Sequence, residues 1–368
     1  MANHALDLEK KLFQKVIIER IIENSATDKK RPWVIELDPT TACNLACHDC
    51  ISANLLNQGG FPRDRLNQLA KEFYKNGVKA VVLIGGGEPM AHPEFGNIIN
   101  YFYQNDIHVG VTSNGTMIKK YLQILANKTK WVRISVDAGT EKVFQDYRPH
   151  ASGKSQFNSV IEQMKELSSI KKCRLGYSFL ILNKFNKDGS FRDTNSTDII
   201  YAAKIAKEIG CDYFEVKPSF DMMHYLSKFP DETIKIVNEQ LIKIKELETE
   251  KFTIISPFTL EDSLKNQTTQ EKSYTKCPTT EYRAVFTQSG AFVCPYHRGN
   301  NNLKIGDPIN QSFSEIWYGT TRANVMNKLN PKEHCKFHCI RHKTNLELEK
   351  INKDTSKVNI SENFDRFI

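Results

Sequence analysis

The chain has 368 residues, 40% of them hydrophobic and 26% charged, with a formal net charge of +8 at pH 7. That length allows one large domain with an appendage, and the composition excludes a chain that is disordered throughout. No apolar run reaches the about 18 residues that cross a bilayer, and the start MANHALDLEKKLFQ lacks the apolar stretch of a secretory signal. The basic residues are spread along amphipathic segments rather than gathered into arms, so neither nucleic acid nor a membrane is an expected partner, and a cytoplasmic location is expected.

Apolar residues at helical spacing (Leu8, Leu12, Phe13, Val16, Ile17, Ile21) predict an amphipathic helix from Leu6 to about Glu23, within an N-terminal segment 1–32. Six strand-like runs come next: WVIEL (33–37), KAVVLI (79–84), HVGVTS (108–113), WVRISV (131–136), RLGYSFLIL (174–182) and DYFEVK (212–217). Helical patterns separate them at about 61–76, 93–105, 117–127, 154–168 and 196–209. Strand and helix in alternation build a parallel sheet with right-handed crossovers, so the expected fold is α/β, a partial (β/α)6 TIM-like barrel over 33–218. In such folds the chemistry gathers where strand C-termini meet the next loop. The polar segment 186–198 reads as an exposed loop. A connecting helical segment is expected over 219–274, with its helix at about 231–249. The runs RAVFT and AFVCPY around Gln288, Ser289 and Gly290 then form a hairpin in a small C-terminal domain over 275–342. The charged remainder, 343–368, reads as a frayed helix or coil.

Seven of the nine cysteines fall into two sets: Cys43, Cys47 and Cys50 in the loop after the first strand, and Cys277, Cys294, Cys335 and Cys339 near the C-terminus. In a reducing compartment, short spacings point to metal rather than to disulfides. One loop can wrap three thiolates around a 4Fe-4S cubane and leave its fourth iron open, whereas zinc needs a fourth ligand, which His48 could supply. The later four thiolates could close a second cubane or a zinc site. His334, His338 and His342 read as exposed polar residues. Cys173 and Cys211, each preceding its strand, read as buried inert thiols at the opposite end of the strands from the chemistry.

CNLACHDC after the first strand, with Gly85, Gly86, Gly87, Glu88 and Pro89 after the second, resembles the radical S-adenosylmethionine superfamily. The resemblance implies that the open iron chelates the methionyl part of S-adenosylmethionine and that the reduced cluster cleaves it to a 5'-deoxyadenosyl radical. It also implies that GGGEP meets the methionyl amino group, with Ser113 and Asn114, then Ser135 and Asp137, as further cofactor contacts. Arg148 is the expected partner of the methionyl carboxylate, and Asn183 an adenine-side contact. Asp49 departs from the pattern, which commonly has an aromatic residue before the third cysteine. The second set resembles the auxiliary-cluster domains called SPASM and twitch, and four cysteines fit the shorter twitch form. Two 4Fe-4S clusters are then implied, with a reductant such as flavodoxin or ferredoxin. The expected reaction is oxidation of a small polar metabolite such as an aminocyclitol or sugar, with Lys217 at the sixth strand end polarising substrate or accepting a proton. The alternatives are modification of a ribosomally made peptide, epimerisation of a sugar, and a non-catalytic iron-sulfur or zinc protein.

Overall fold

Among the described residues the strands run in the order β1 (Val34–Asp38), β2 (Ala80–Leu83), β3 (His108–Ser113), β4 (Trp131–Ser135), β5 (Arg174–Ile181), β6 (Asn183–Phe185), β7 (Phe191–Thr194), β8 (Tyr213–Pro218), β9 (Thr253–Ile255), β10 (Arg283–Thr287), β11 (Gly290–Phe292) and β12 (Lys304–Gly306). The computed structural model describes residues 11–221, 223, 225–353, 361 and 366–367. The α/β class and all six expected strands are present. The chain divides into two compact units, one formed by residues up to Thr41, Gln58–Gly110 and the chain from Glu271 onward, the other by Ala42–Asn57 and Val111–Gln270.

In the first unit β1 is flanked on both sides by parallel partners, β2 and β10. All five residues of β1 and all five of β10 are buried, as strands covered on both faces require. The RAVFT and AFVCPY pair does turn back as a hairpin, with Val285 opposite Phe292. Its first strand also continues the parallel pairing of β1, Glu36 facing Val285 and Asp38 facing Thr287. Helix Arg63–Lys75 buries Leu66, Leu69, Ala70 and Phe73, the spacing that makes one apolar stripe. Phe73 meets Phe286 of β10 at 5.6 Å and Phe313 at 5.3 Å, both edge-on. Phe313 opens the short helix Phe313–Trp317, whose start is fixed by a capping box between Ser312 and Glu315. The N-terminal helix is described from Lys15 to Ser25 and buries Ile17, Ile18 and Ile21; the expected start at Leu6 and Leu8 lies outside the described residues. The tail is helical over His342–Lys353, and most of the chain beyond Lys353 lies outside the described residues.

In the second unit β4, β5, β8 and β9 run in that order, all parallel. The three-residue β9 has no counterpart among the expected strands, being too short to show a period. Helix Ile199–Ile209 buries Ile199, Ala202, Ala203, Ala206 and Ile209 and stops at Gly210, which takes the left-handed conformation that suits glycine after a helix. The segment 186–198 is exposed over most of 186–193, as expected, but β7 within it pairs antiparallel with β6, and Thr194, Asn195, Ser196 and Asp198 are buried. Its polar residues are turned to structural use, since Asn195 Nδ2 donates to the carbonyls of Asp137 and Leu180, both at 2.8 Å. Polarity at 194–198 marks satisfied buried hydrogen bonds rather than solvent contact. Among the described residues no helix is long and apolar enough to cross a membrane.

Candidate functional site

The loop with Cys43, Cys47 and Cys50 is short of regular structure, so its backbone groups must find partners elsewhere. They find them largely on residues 147–151. Ala46 N donates to Pro149 O (2.8 Å), His48 N to Tyr147 O (3.0 Å) and Ala151 N to Asn44 O (3.1 Å), with Leu45 bridging antiparallel to His150. Cys43 N is held by Asn57 Oδ1 at 3.0 Å, and Asn114 Nδ2 lies 3.8 Å from Cys43 Sγ while donating to Asn44 Oδ1 at 2.9 Å. Pairing with 147–151 carries Arg148 to the thiols. Burial pushes the Cys47 thiol up to about 11, against the pull of the Arg148 cation. Burial opposes the charge on Arg148 in turn, but Cys47 and Asp137 outweigh it and hold the guanidinium firmly protonated.

Arg148 Nη1 donates to Asp137 Oδ2, while its Nε is buried without a hydrogen-bond partner. Asp137 sits at φ +57, a left-handed conformation, and its Oδ1 accepts from Leu180 N at 2.8 Å. Two residues expected to touch the cofactor thus hold each other beside the cysteine loop. The orphaned Nε fits an additional anionic acceptor there, such as a carboxylate. Ser113 Oγ accepts from Gly115 N at 2.9 Å, and Asn183 Oδ1 accepts from Thr233 Oγ1 at 2.6 Å, so both side chains are engaged at their strand ends. Ser135 ends β4, half-buried. Asp49 is exposed and its Oδ1 lies 3.0 Å from His48 Nδ1.

Lys217 ends in a charged group spanning two strands: its Nζ lies 3.2 Å from Glu215 Oε2, which also takes Arg133 Nη1 at 3.3 Å. Burial, then Arg133, lowers the Lys217 pKa against the pull of Glu215, as a proton acceptor needs. Arg133 and Glu215 do not stand out in the sequence, where an alternating charged residue in a strand reads as solvent-facing.

In the other unit, GGGEP lies just after β2. A Cβ on Gly85 would come within 2.4 Å of the Gly87 carbonyl, so only glycine allows this turn. Gly87 N donates to Thr40 O at 3.2 Å. Glu88 is 2% exposed and accepts from Met90 N at 3.0 Å, capping the short helix Pro89–Ala91. Replacement by alanine would therefore remove both a cap and a carboxylate. Glu88→Gln keeps the capping oxygen and loses only the charge. It is expected to weaken S-adenosylmethionine binding at least tenfold, measured by equilibrium dialysis, with the iron content unchanged; undiminished affinity would remove Glu88 from the cofactor contacts.

Cys277, Cys294, Cys335 and Cys339 line one cavity. The hairpin delivers Cys294, the short helix Pro278–Glu281 begins just after Cys277, and the turn after helix Pro331–His334 supplies Cys335 and Cys339. Among the described residues no group of three or more His, Cys, Asp or Glu is gathered tightly enough to hold a single metal ion. Burial pushes Cys335 up to about 12 and Cys339 up to about 11, with Cys277 adding to both. The donor set is one that deprotonates on binding metal. His297 Nε2 lies 3.4 Å from Cys335 Sγ, and Thr279 Oγ1 lies 3.4 Å from Cys277 Sγ. His338 corrects the expectation of an exposed residue, being 2% exposed; His342 is half-buried and meets Tyr274 Oη through Nδ1 at 3.2 Å; His334 is exposed. Cys173 and Cys211 are buried just before β5 and β8.

Residues unremarked in the sequence complete this unit. Glu36 accepts from Arg283 Nη2, and Asp38 Oδ1 accepts from Arg298 Nη2 at 3.1 Å, with Arg298 Nε at ion-pair distance, 2.9 Å, from Oδ2. Burial raises Asp38 to about 7 against the pull of Arg298, and its carboxylate also accepts from the Gly86 backbone. The β1 end, the GGGEP turn and the segment after Cys294 are thereby tied together.

The Radical SAM superfamily pattern matches residues 37–188. The mycofactocin maturase MftC of Mycobacterium tuberculosis is 27% identical over 161 residues, 41% of this chain and 38% of the maturase. An AdoMet-dependent heme synthase of Methanosarcina barkeri is 22% identical over 189 residues, half of each chain. The chain thus spans about two fifths of the length of the maturases it matches. Among solved structures, Streptococcus suis SuiB bound to S-adenosylmethionine superposes with a TM-score of 0.63 at 16% identity, covering 88% of this chain and 77% of SuiB. Native anSMEcpe with bound AdoMet gives 0.59 at 14% identity over 88% of this chain and all of the other. Residues 37–188, with their cysteine loop of three and then two intervening residues, are thus a domain of the radical SAM superfamily.

Proposed function

We propose that this protein is a two-cluster radical S-adenosylmethionine oxidase. Cys43, Cys47 and Cys50 bind a 4Fe-4S cluster that, with S-adenosylmethionine, supplies a 5'-deoxyadenosyl radical. Gly85, Gly86, Gly87, Glu88 and Pro89, together with Ser113, Asn114, Ser135, Asp137, Arg148 and Asn183, form the cofactor's surroundings. Arg148 supports this reading most directly, since its guanidinium is fixed by Asp137 and keeps one buried donor unpaired beside the thiols. A twitch-type region over 275–342 holds a second 4Fe-4S cluster on Cys277, Cys294, Cys335 and Cys339. The observation that carries the oxidase reading is that these four thiols line one cavity. Four protein ligands leave no iron for substrate, which suits electron transfer.

The chemistry balances as a two-electron oxidation. The 5'-deoxyadenosyl radical removes a hydrogen atom; the substrate radical then gives one electron to the second cluster and one proton to Lys217, leaving a new double bond. A one-electron carrier of the flavodoxin or ferredoxin class supplies the priming electron and takes the later one away. A peptide substrate is favoured over a small polar metabolite because the sequence matches include a maturase, and SuiB of like fold has been solved with a precursor peptide.

Anaerobically reconstituted, reduced protein is expected to convert S-adenosylmethionine to 5'-deoxyadenosine. A peptide encoded beside the gene, deuterated at the abstraction site, should pass its deuterium into that product and lose one further hydrogen as a proton. Lys217→Met should slow formation of the oxidised product about 10²–10⁴-fold, the usual worth of a general base, while cleavage continues. Deuterium transfer from an aminocyclitol or sugar, and not from peptide, would restore the small-metabolite reading; stoichiometric zinc without iron would end the proposal.

A further inference from the structure

The cavity of the second cysteine set is walled by cations as well as thiols: Lys272, Arg283 and Arg341 all line it. Arg283 is matched by Glu36 in direct contact. Arg341 is not matched in this way. It makes no ion pair with a described carboxylate, and its Nη1 is buried without a hydrogen-bond partner. Lys272 is 5% exposed and donates from Nζ to the carbonyl of Phe337 at 3.0 Å, a residue that lies between Cys335 and Cys339 in the sequence. Glu271 beside it is the acidic neighbour on its own segment.

Buried cations cost free energy unless something anionic faces them. Four thiolates on a cubane make an anionic group whose negative charge grows by one on reduction. A neighbouring cation therefore stabilises the reduced form more than the oxidised one, and does so strongly where water is excluded. Hydrogen bonds to the sulfurs act in the same direction, and His297 and Thr279 are placed to donate them. Resting on the two-cluster reading above, we infer that Arg341, seconded by Lys272, raises the reduction potential of the cluster on Cys277, Cys294, Cys335 and Cys339 so that it accepts the electron of the substrate radical. Arg341 is thus a positioning residue for electron transfer, without touching substrate.

The test is a redox titration monitored by electron paramagnetic resonance on the whole reconstituted chain, with Cys43, Cys47 and Cys50 replaced by alanine so that only the second cluster reports. Arg341→Gln is expected to lower the midpoint potential by about 59 mV or more, a tenfold or greater change in the one-electron equilibrium, and Arg341→Lys should recover at least half of that. A smaller shift, or an upward one, overturns the assignment. If Arg341→Gln fails to load iron, Lys272→Met, on a separate segment, is read by the same criterion. Loss of the cluster from both would show that the cations serve assembly, and would also overturn it. A parent protein with no second-cluster signal at all would instead sink the two-cluster reading, a failure distinguishable by iron content alone.

Discussion

Replacing Cys43, Cys47 and Cys50 together by alanine is expected to abolish cleavage of S-adenosylmethionine while leaving about four irons, one cubane of the two, in the protein. The loss should be total rather than graded. The three thiolates are the only protein ligands proposed for the cluster that breaks the sulfonium, and the proposed second cluster, closed by four thiolates, would have no iron on which to bind it. The variant should also fold. The loop's order comes from backbone hydrogen bonds, Ala46 to Pro149, His48 to Tyr147 and Ala151 to Asn44, none of which uses a thiol. Removing the thiolates does take anionic partners from Arg148, but Asp137 continues to hold that guanidinium. Iron and sulfide analysis, circular dichroism and chromatographic detection of 5'-deoxyadenosine together check the expectation. Cleavage at even about a hundredth of the wild-type rate, a barrier raised by only about 2.7 kcal/mol, would move the radical chemistry away from this loop.

The strands are legible in the sequence because each of the six expected runs is centred on apolar residues, which burial on both faces favours. The two cysteine sets are legible because thiols at short spacing have few other uses in a reducing compartment. Long-range pairing is not legible. The hairpin of β10 and β11 is written locally in RAVFT, Gly290 and AFVCPY, but the parallel pairing of β10 with β1 sets Val34 against Arg283 and leaves no periodic trace.

The same distance hides the charged partners. Glu36 and Asp38 read as ordinary strand residues, and Arg283 and Arg298 as ordinary surface cations, until the fold sets them against each other. Arg148 shows the intermediate case. Its residue type suggests a carboxylate ligand, yet only the antiparallel bridge from Leu45 to His150 reveals why YRPH lies along the cysteine loop. His338 misleads because a histidine in a charged stretch reads as solvated, whereas the turn that presents Cys335 and Cys339 folds it inward.

Replacing Cys335 and Cys339 together by alanine should separate radical formation from product formation. The first step uses the Cys43, Cys47 and Cys50 cluster alone, so the variant should still convert S-adenosylmethionine to 5'-deoxyadenosine when substrate is present. The oxidised product should fail to appear, because the substrate radical has lost the acceptor for its electron and must be quenched from solvent or by a reductant. Deuterium from heavy water would then enter recovered substrate at the abstraction site, a signature that simple loss of activity does not give. Unfolding is the competing explanation to exclude, since the proposed metal bonds would tie Cys277 and the hairpin to this turn. Other contacts of the region do not pass through the metal: Asn345 Oδ1 accepts from Thr279 N at 3.0 Å, Arg322 Nη2 donates to Thr280 O at 2.8 Å, and Trp317 Nε1 donates to Lys30 O at 2.7 Å. A folded variant is therefore expected, with retained circular dichroism and about half the iron. Uncoupling distinguishes oxidation from epimerisation, in which a hydrogen atom is returned and no electron leaves. Wild-type turnover of the true substrate by the folded double variant would exclude electron acceptance and leave the second cluster a structural tie.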